Sequence, residues 1–161
     1  SKSKGKRFEM GRVNNLDILE GMSIRNLSVV ENEKGSVLHM IRSDSEYFET
    51  FGEIYFSEVM PNVIKGWKKH KITTQNFVVP VGRIKLVLYD QRQVSGTSEM
   101  VFETELGRNN YKMITIPPQI WYGFQGLSND VSIIANLIDH PHDPEESESL
   151  EINDTAIPYN W

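Results

Sequence analysis

The sequence predicts an all-β domain, a sandwich or barrel of short strands. Three observations carry that expectation. Strand-like runs recur along the 161 residues at intervals of about 8–12, with turn residues between them. Ile84, Leu86 and Leu88 alternate with Lys85, Val87 and Tyr89, the period of two that marks a half-buried strand. No long amphipathic helix can be traced.

The elements follow in order. Residues 1–12 carry a net charge of +4 and lack an apolar h-region, so they are not expected to act as a signal peptide. We expect residues 1–23 to form a flexible basic segment and residues 24–161 a single domain. Val37, Leu38, Met40 and Ile41 form a strand-like patch after the turn signal Glu33-Lys34-Gly35. Ser43-Asp44-Ser45-Glu46 fits a capping box, and Tyr47, Phe48 and Phe51 follow at near-helical spacing before Gly52. A short helical turn is expected near residues 44–51. Ile54–Val59 reads as a strand ended by Pro61-Asn62. Phe77–Val81 leads into Gly82, which allows a sharp turn into the alternating strand that Asp90 ends. Further strands are expected over Met100–Leu106, Lys112–Ile116 and Val131–Ile138. Pro117-Pro118 breaks the pattern, because proline cannot sit inside a central strand.

Composition excludes several classes. Hydrophobic residues are 39% and charged residues 24%, a globular and not a disordered balance. A net charge of −5 makes general nucleic-acid binding a poor reading, since that affinity rests on neutralising phosphates. No apolar run is long enough to span a membrane as a helix, so no membrane partner is expected. The absence of cysteine removes disulfides, thiol nucleophiles and cysteine-bound metals. A cytoplasmic location is expected. Residues 139–154 net −7 and read as an acidic tail.

Against that acidic background, Lys65-Gly66-Trp67-Lys68-Lys69-His70-Lys71 places four lysines and a histidine in seven residues. In an extended strand Lys68 and His70 point one way, and Trp67, Lys69 and Lys71 the other. One reading is a solvated edge strand guarded by lysines. The other is a mouth for an anion such as a phosphate. Trp67, Trp121, Phe124 and Tyr159 are candidates to stack on a base or sugar, or else belong to core and rim. Arg83 and Arg92 are candidate pyrophosphate ligands, or else solvated.

Lys68-x-His70, then Gln75, then Gly82 has the spacing of the first cupin motif, His-x-His, four residues, Glu, six residues, Gly. Pro117-Pro118-Gln119-Ile120-Trp121-Tyr122 resembles the second, with Tyr122 at the histidine position. The chain thus resembles a cupin, which implies a jelly-roll β-barrel. A cupin metal takes three imidazoles and a carboxylate. Lys68, His70, Gln75 and Tyr122 make a weak divalent site, with a cationic lysine opposing the ion, so we expect no metal and no other cofactor. His140-Pro141-His142 reads as an exposed loop.

Within the cupins, the stretch from Ile24 to Trp161 resembles the metal-independent sugar-nucleotide enzymes, dTDP-4-dehydrorhamnose 3,5-epimerases and dTDP-sugar 3,4-ketoisomerases. Lys65-Gly66-Trp67-Lys68 falls where the epimerases have Arg-Gly-Leu-His. Lys65–Lys71 resembles the ketoisomerases' Arg-Gly-x-His-Ala-His-Lys. Ile116-Pro117-Pro118-Gln119-Ile120-Trp121-Tyr122-Gly123-Phe124 is similar to the epimerases' Pro-x-Gly-Phe-Ala-His-Gly-Phe. Asn153–Trp161 is similar to their closing Asn-Asp-Pro segment.

The resemblance implies a homodimer and chemistry on a nucleotide-activated 4-keto-6-deoxysugar in surface polysaccharide biosynthesis. A 4-keto group acidifies the hydrogens at C3 and C5. A base removes one, a cation steadies the enolate, and an acid returns a proton. The epimerase base position holds Lys68, the aspartate that supports the base corresponds to Asp154, the oxyanion lysine position falls near Gln75, and the acid tyrosine position falls near Ala135. His70, which needs little tuning to act near neutral pH, is the preferred base. Tyr122 is the acid candidate. Lys68 is an alternative base, with Asp154 in support, and Lys65, Gln75, Arg83 and Trp121 are expected to bind substrate. The alternatives are a cupin that binds a nucleotide sugar without turning it over, and a metal-dependent cupin or unrelated β-fold binder.

Overall fold

A computed structural model describes residues 18–161 of the chain. Twelve strands run in order: β1 (Ser23–Asn26), β2 (Val29–Val30), β3 (Val37–Leu38), β4 (Glu53–Val59), β5 (Ile64–His70), β6 (Gln75–Val81), β7 (Arg83–Asp90), β8 (Val101–Gly107), β9 (Lys112–Ile116), β10 (Ile120–Gly126), β11 (Ser132–Ile138) and β12 (Ser147–Ser149). Ten of them form two five-stranded antiparallel sheets. The first has the order β1-β9-β6-β11-β4 and the second β12-β5-β10-β7-β8. The sheets face each other as a jelly roll, so strands adjacent in the chain often lie in opposite sheets.

The core between the sheets holds Phe77, Val79, Ile84, Leu86, Leu88, Phe102, Ile114, Ile116, Tyr122, Phe124 and Ile134. Two smaller clusters cover the outer faces. Leu27–Tyr47 lays Leu27, Val29, Leu38, Met40 and Tyr47 over Val78, Tyr111 and Met113 on the first sheet. The C-terminal segment lays Leu150, Ile157, Tyr159 and Trp161 over Trp67, Val87, Tyr89 and Trp121 on the second. Each outer face therefore buries apolar residues that alternation alone would expose to water.

The expected strands are present with boundaries within a residue or two, except that β3 covers only Val37–Leu38 of the patch expected to reach Ile41. Three features differ. Of the N-terminal segment expected over residues 1–23, Leu19 and Met22 are buried in the main core, and residues 1–17 lie outside the described residues. Near residues 44–51 the chain makes two consecutive tight turns, closed by the Ser45 amide on the Arg42 carbonyl and the Phe48 amide on the Ser45 carbonyl. The 3-10 turn among the described residues lies instead at Pro144–Glu146, where Asp143 caps the start. Directly after the Pro117-Pro118 break comes β10, in the middle of its sheet between β5 and β7. Gln119, at φ 70°, turns the chain into it and donates its amide to the His70 carbonyl.

Gly82 links the two sheets at the tip between β6 and β7. Its φ is 81°, and a Cβ there would sit 2.2 Å from Ser132 Oγ. That hydroxyl accepts from the Arg83 amide and donates to the Arg83 carbonyl. Only glycine meets both the backbone angle and the close approach.

Candidate active site

A cavity of about 520 Å³ opens between the sheets, lined by Glu53, Tyr55, Ser57, Lys65, Gly66, Trp67, Lys68, Phe77, Tyr122, Phe124, Ile134, Asn136, His142 and Ser149. Sheet register explains the membership. Lys68 pairs with Tyr122 across β5 and β10, and opposite residues share a face. Asn136 pairs with Tyr55 on one side and Phe77 on the other. Tyr122 and Lys68 thus come from one sheet, and Tyr55 and Asn136 from the sheet facing it.

Behind Tyr122 lies a buried polar chain. His70 Nε2 is 3.3 Å from the Tyr122 hydroxyl, and the two rings stack at 5.9 Å with an 8° angle. His70 Nδ1 is 2.6 Å from Glu146 Oε1. The other Glu146 oxygen accepts the amides of Ile72 and Thr73 at 2.8 and 2.9 Å. Burial works against the charge of Glu146. The hydrogen bonds from His70 and the two amides outweigh it and hold the carboxyl down to about 2. Glu146 is therefore an ionised acceptor at neutral pH, and the hydrogen on the neutral imidazole resides on Nδ1. Nε2 then offers its lone pair to the Tyr122 O–H. Burial pushes the Tyr122 phenol well above its ordinary pKa, reinforced by Tyr55 and Glu146 and opposed by the Gln75 amide.

The facing wall is organised by Asn136. Its Oδ1 accepts the Asn76 backbone amide at 3.1 Å, which fixes the orientation of the side-chain amide. Its Nδ2 donates to Gln75 Oε1 at 3.0 Å and to the Tyr55 hydroxyl at 3.1 Å. Burial raises the Tyr55 pKa, with the Asn136 bond opposing.

The structure brings five of the eight residues singled out from sequence to this region and disperses three. Lys68 and Tyr122 line the cavity, and Lys65 sits at its edge with its ammonium on the Glu58 carbonyl. His70 and Gln75 are buried behind the wall, and His70 meets the cavity through the Tyr122 hydroxyl and not directly. Asp154 does not support any base: it accepts the Ala156 amide in a turn and lines a separate hollow beneath the C-terminal segment. Arg83 is an exposed partner of Glu105, on a strand position that faces away from the cavity. Trp121 lies on the outer face of the second sheet, its indole N–H on Gln91 and Lys69 over its ring. Alternation explains that last correction, since Tyr122 takes the inward position. Among the other readings, Arg92 clamps the loop after β7 through Asp90, and Trp67 and Tyr159 pack in the outer cluster.

Three residues escape sequence reasoning. Asn136 stands as a single amide in the largely apolar run of β11. Glu146 sits in the acidic run and carries no local mark that separates it from its solvated neighbours. Tyr55 had a signal: Glu53, Tyr55 and Ser57 alternate with Ile54 and Phe56, a two-faced strand. The polar face is the one turned inward, while Ile54 and Phe56 are 44% and 66% exposed.

The described residues contain no group of three or more His, Asp or Glu placed to hold a metal ion. The donor set at the cavity agrees, because both ring nitrogens of His70 are already engaged by protein groups.

Comparison with known proteins follows the same line. A family model described as dTDP-4-dehydrorhamnose 3,5-epimerase matches residues 18–161. A protein of Haloferax volcanii named as a probable low-salt glycan biosynthesis epimerase, Agl13, is 32% identical over 144 residues, covering 88% of this chain and 89% of its own. The spore coat polysaccharide biosynthesis protein SpsL of Bacillus subtilis is 25% identical over 146 residues, covering 89% and 97%. The crystal structure of a dTDP sugar isomerase from Desulfovibrio desulfuricans is similar with a TM-score of 0.87 and 46% identity, covering 89% of this chain and 94% of that one.

Proposed function

The chain belongs to the dTDP-4-dehydrorhamnose 3,5-epimerase family, and from that premise we propose that it enolises a nucleotide-activated 4-keto-6-deoxysugar through Tyr122. The observation that carries the reading is the Glu146–His70–Tyr122 chain, whose hydroxyl end faces the cavity. His70 accepts the Tyr122 proton, and Glu146 stabilises the imidazolium that forms, as the carboxylate of a Ser-His-Asp triad does. The tyrosinate then takes the hydrogen on the carbon next to the ketone. The electron pair moves to the carbonyl oxygen, and the Lys68 ammonium, across the register from Tyr122, stabilises that charge. Burial makes the Tyr122 phenolate costly to form, so the proton leaves only as His70 takes it, and the phenolate that results is a strong base. Lys65 lines the cavity edge, and in this reading its ammonium meets the diphosphate of a nucleotide sugar. Service in surface-glycan assembly follows from the named relatives.

The same reading makes the protein a homodimer. β4 is the edge of the first sheet, and its outer face exposes Ile54 and Phe56, with Met60 and Val81 exposed beside it. An exposed apolar edge strand is the kind of surface a second copy covers.

The test is proton exchange. Protein, dTDP-4-keto-6-deoxyglucose and deuterated water are combined, and the C3 and C5 hydrogens are followed by NMR. Loss of either signal above the protein-free control, abolished in a folded His70→Ala variant, is the expected result. Saturable binding without exchange would replace this reading with that of a binding cupin.

A further inference from the structure

Removing a hydrogen and returning it to the same face changes nothing. Inversion needs a second proton source on the opposite side of the carbon. The cavity has two phenols on its walls, Tyr122 from β10 in one sheet and Tyr55 from β4 in the other. Their hydrogen-bond polarities are opposite. Tyr122 gives its hydrogen to His70 Nε2, and its oxygen, which also meets the Gln75 amide, keeps a lone pair for the cavity. Tyr55 receives a hydrogen from Asn136 Nδ2. That polarity is fixed at a distance: the Asn76 backbone N–H can only donate, so the atom it meets on Asn136 is the oxygen. The Asn136 nitrogen must then face Tyr55 and Gln75. With its oxygen engaged as an acceptor, Tyr55 has its own O–H hydrogen free for the cavity it lines.

We infer that Tyr55 is the catalytic acid of this chain, delivering a proton to the enolate carbon from the sheet opposite Tyr122, so that the keto sugar leaves with that stereocentre inverted. The inference rests on the proposed enolisation. The accounting closes. The substrate C–H proton goes to Tyr122, whose own proton has moved to His70. The Tyr55 O–H proton goes to the carbon as the carbonyl re-forms. This leaves a Tyr55 phenolate and a His70 imidazolium. Solvent protonates the first and accepts a proton from the second, with no net change.

The roles separate in variants. In deuterated water with dTDP-4-keto-6-deoxyglucose, wild-type protein exchanges a C3 or C5 hydrogen and forms the inverted sugar. Tyr55→Phe is expected to keep exchange within about tenfold while inverted product falls by about 10²-fold or more. Tyr122→Phe is expected to lose both. Asn136→Asp replaces the donor facing Tyr55 by an acceptor that draws the Tyr55 hydrogen away, and is expected to lower inversion more than exchange. It serves if Tyr55→Phe proves unfolded by thermal melting. Inversion at the wild-type rate in a folded Tyr55→Phe or Asn136→Asp protein overturns the assignment of Tyr55 and leaves enolisation standing. No exchange in the wild-type protein overturns the proposed enolisation itself, and the acid role with it.

Discussion

Replacing Glu146 by glutamine tests the buried chain at its deepest point. The carboxylate receives three hydrogens, one from His70 Nδ1 and two from the Ile72 and Thr73 amides. A glutamine has one acceptor oxygen and an NH2 group. Keeping both backbone bonds places the oxygen where Oε2 stands and turns the NH2 toward His70 Nδ1. The imidazole must then present a lone pair at Nδ1, so its hydrogen moves to Nε2 and points at Tyr122. A nitrogen that carries a hydrogen cannot take another without charging the ring. The same tautomer inversion in a Ser-His-Asp triad costs about 10⁴ in rate, which is about 5 kcal/mol of barrier. We expect exchange by Glu146→Gln to fall by about 10³- to 10⁴-fold, with a stability loss of only about 1–2 kcal/mol because two of three bonds survive. The assay is the NMR exchange rate beside a thermal melt, with ¹⁵N shifts of His70 reporting the tautomer. Exchange within tenfold of wild type, in a protein whose His70 hydrogen has moved to Nε2, would refute the reasoning.

Glu146 also predicts an acid limit. Its folded pKa of about 2 lies below the ordinary 4.5, so its contribution to stability is complete above about 4.5 and is lost as pH falls toward 2; urea midpoints across that range should fall for wild type and flatten for Glu146→Gln. Asp90 is fully buried and receives bonds from Arg92, Ser95 and Thr97, so Asp90→Ala should lose about 3 kcal/mol or more in chemical denaturation, with exchange in the remaining folded protein unchanged. Gly82→Ala should cost about 2–4 kcal/mol by the same measurement, from the positive φ and the Ser132 contact together. Arg83→Ala and Asp154→Asn should leave kcat and KM within about threefold of wild type, because neither side chain reaches the cavity. Phe56→Glu should convert a dimer to a monomer in light scattering after gel filtration, by placing a charge on the exposed face of β4.

Much of the architecture was legible because period-2 patterning and turn residues act locally. Ile84–Leu88 needed only its own alternation, and Gly82 only its place between two strands. β10 was harder: Gly123 and Gly126 weaken the strand signal, and both are required by neighbours, since a Cβ on Gly123 would meet Trp161 and one on Gly126 would meet the Met60 backbone. At the site, Lys68 and His70 were recognisable by spacing, and their inward direction followed from alternation. Glu146 was not, because its role depends on meeting His70 from 76 residues away, and charge in a run of acids says nothing about which one is buried. The outward position of Trp121 follows from the same alternation once Tyr122 points inward, whereas those of Arg83 and Asp154 depend on tertiary placement that single-chain patterning does not supply. Tyr55 shows the reverse. Its strand carries the pattern clearly, but the usual rule of apolar side inward is broken where a polar cavity lies inside and an apolar surface outside.

Among the described residues β12 follows every other strand of the two sheets in chain order, and it forms the edge of the second sheet against β5. Ser147 pairs with His70 there, and Glu146 is carried in beside the imidazole with it. The histidine thus sits inside the sandwich while its carboxylate is held by a three-residue strand at the rim. A protease cut between Ile138 and Pro144 would loosen that rim first: the inner strands would keep their pairing and the Tyr122 hydroxyl its place at the cavity, while the imidazole lost the partner that fixes its tautomer.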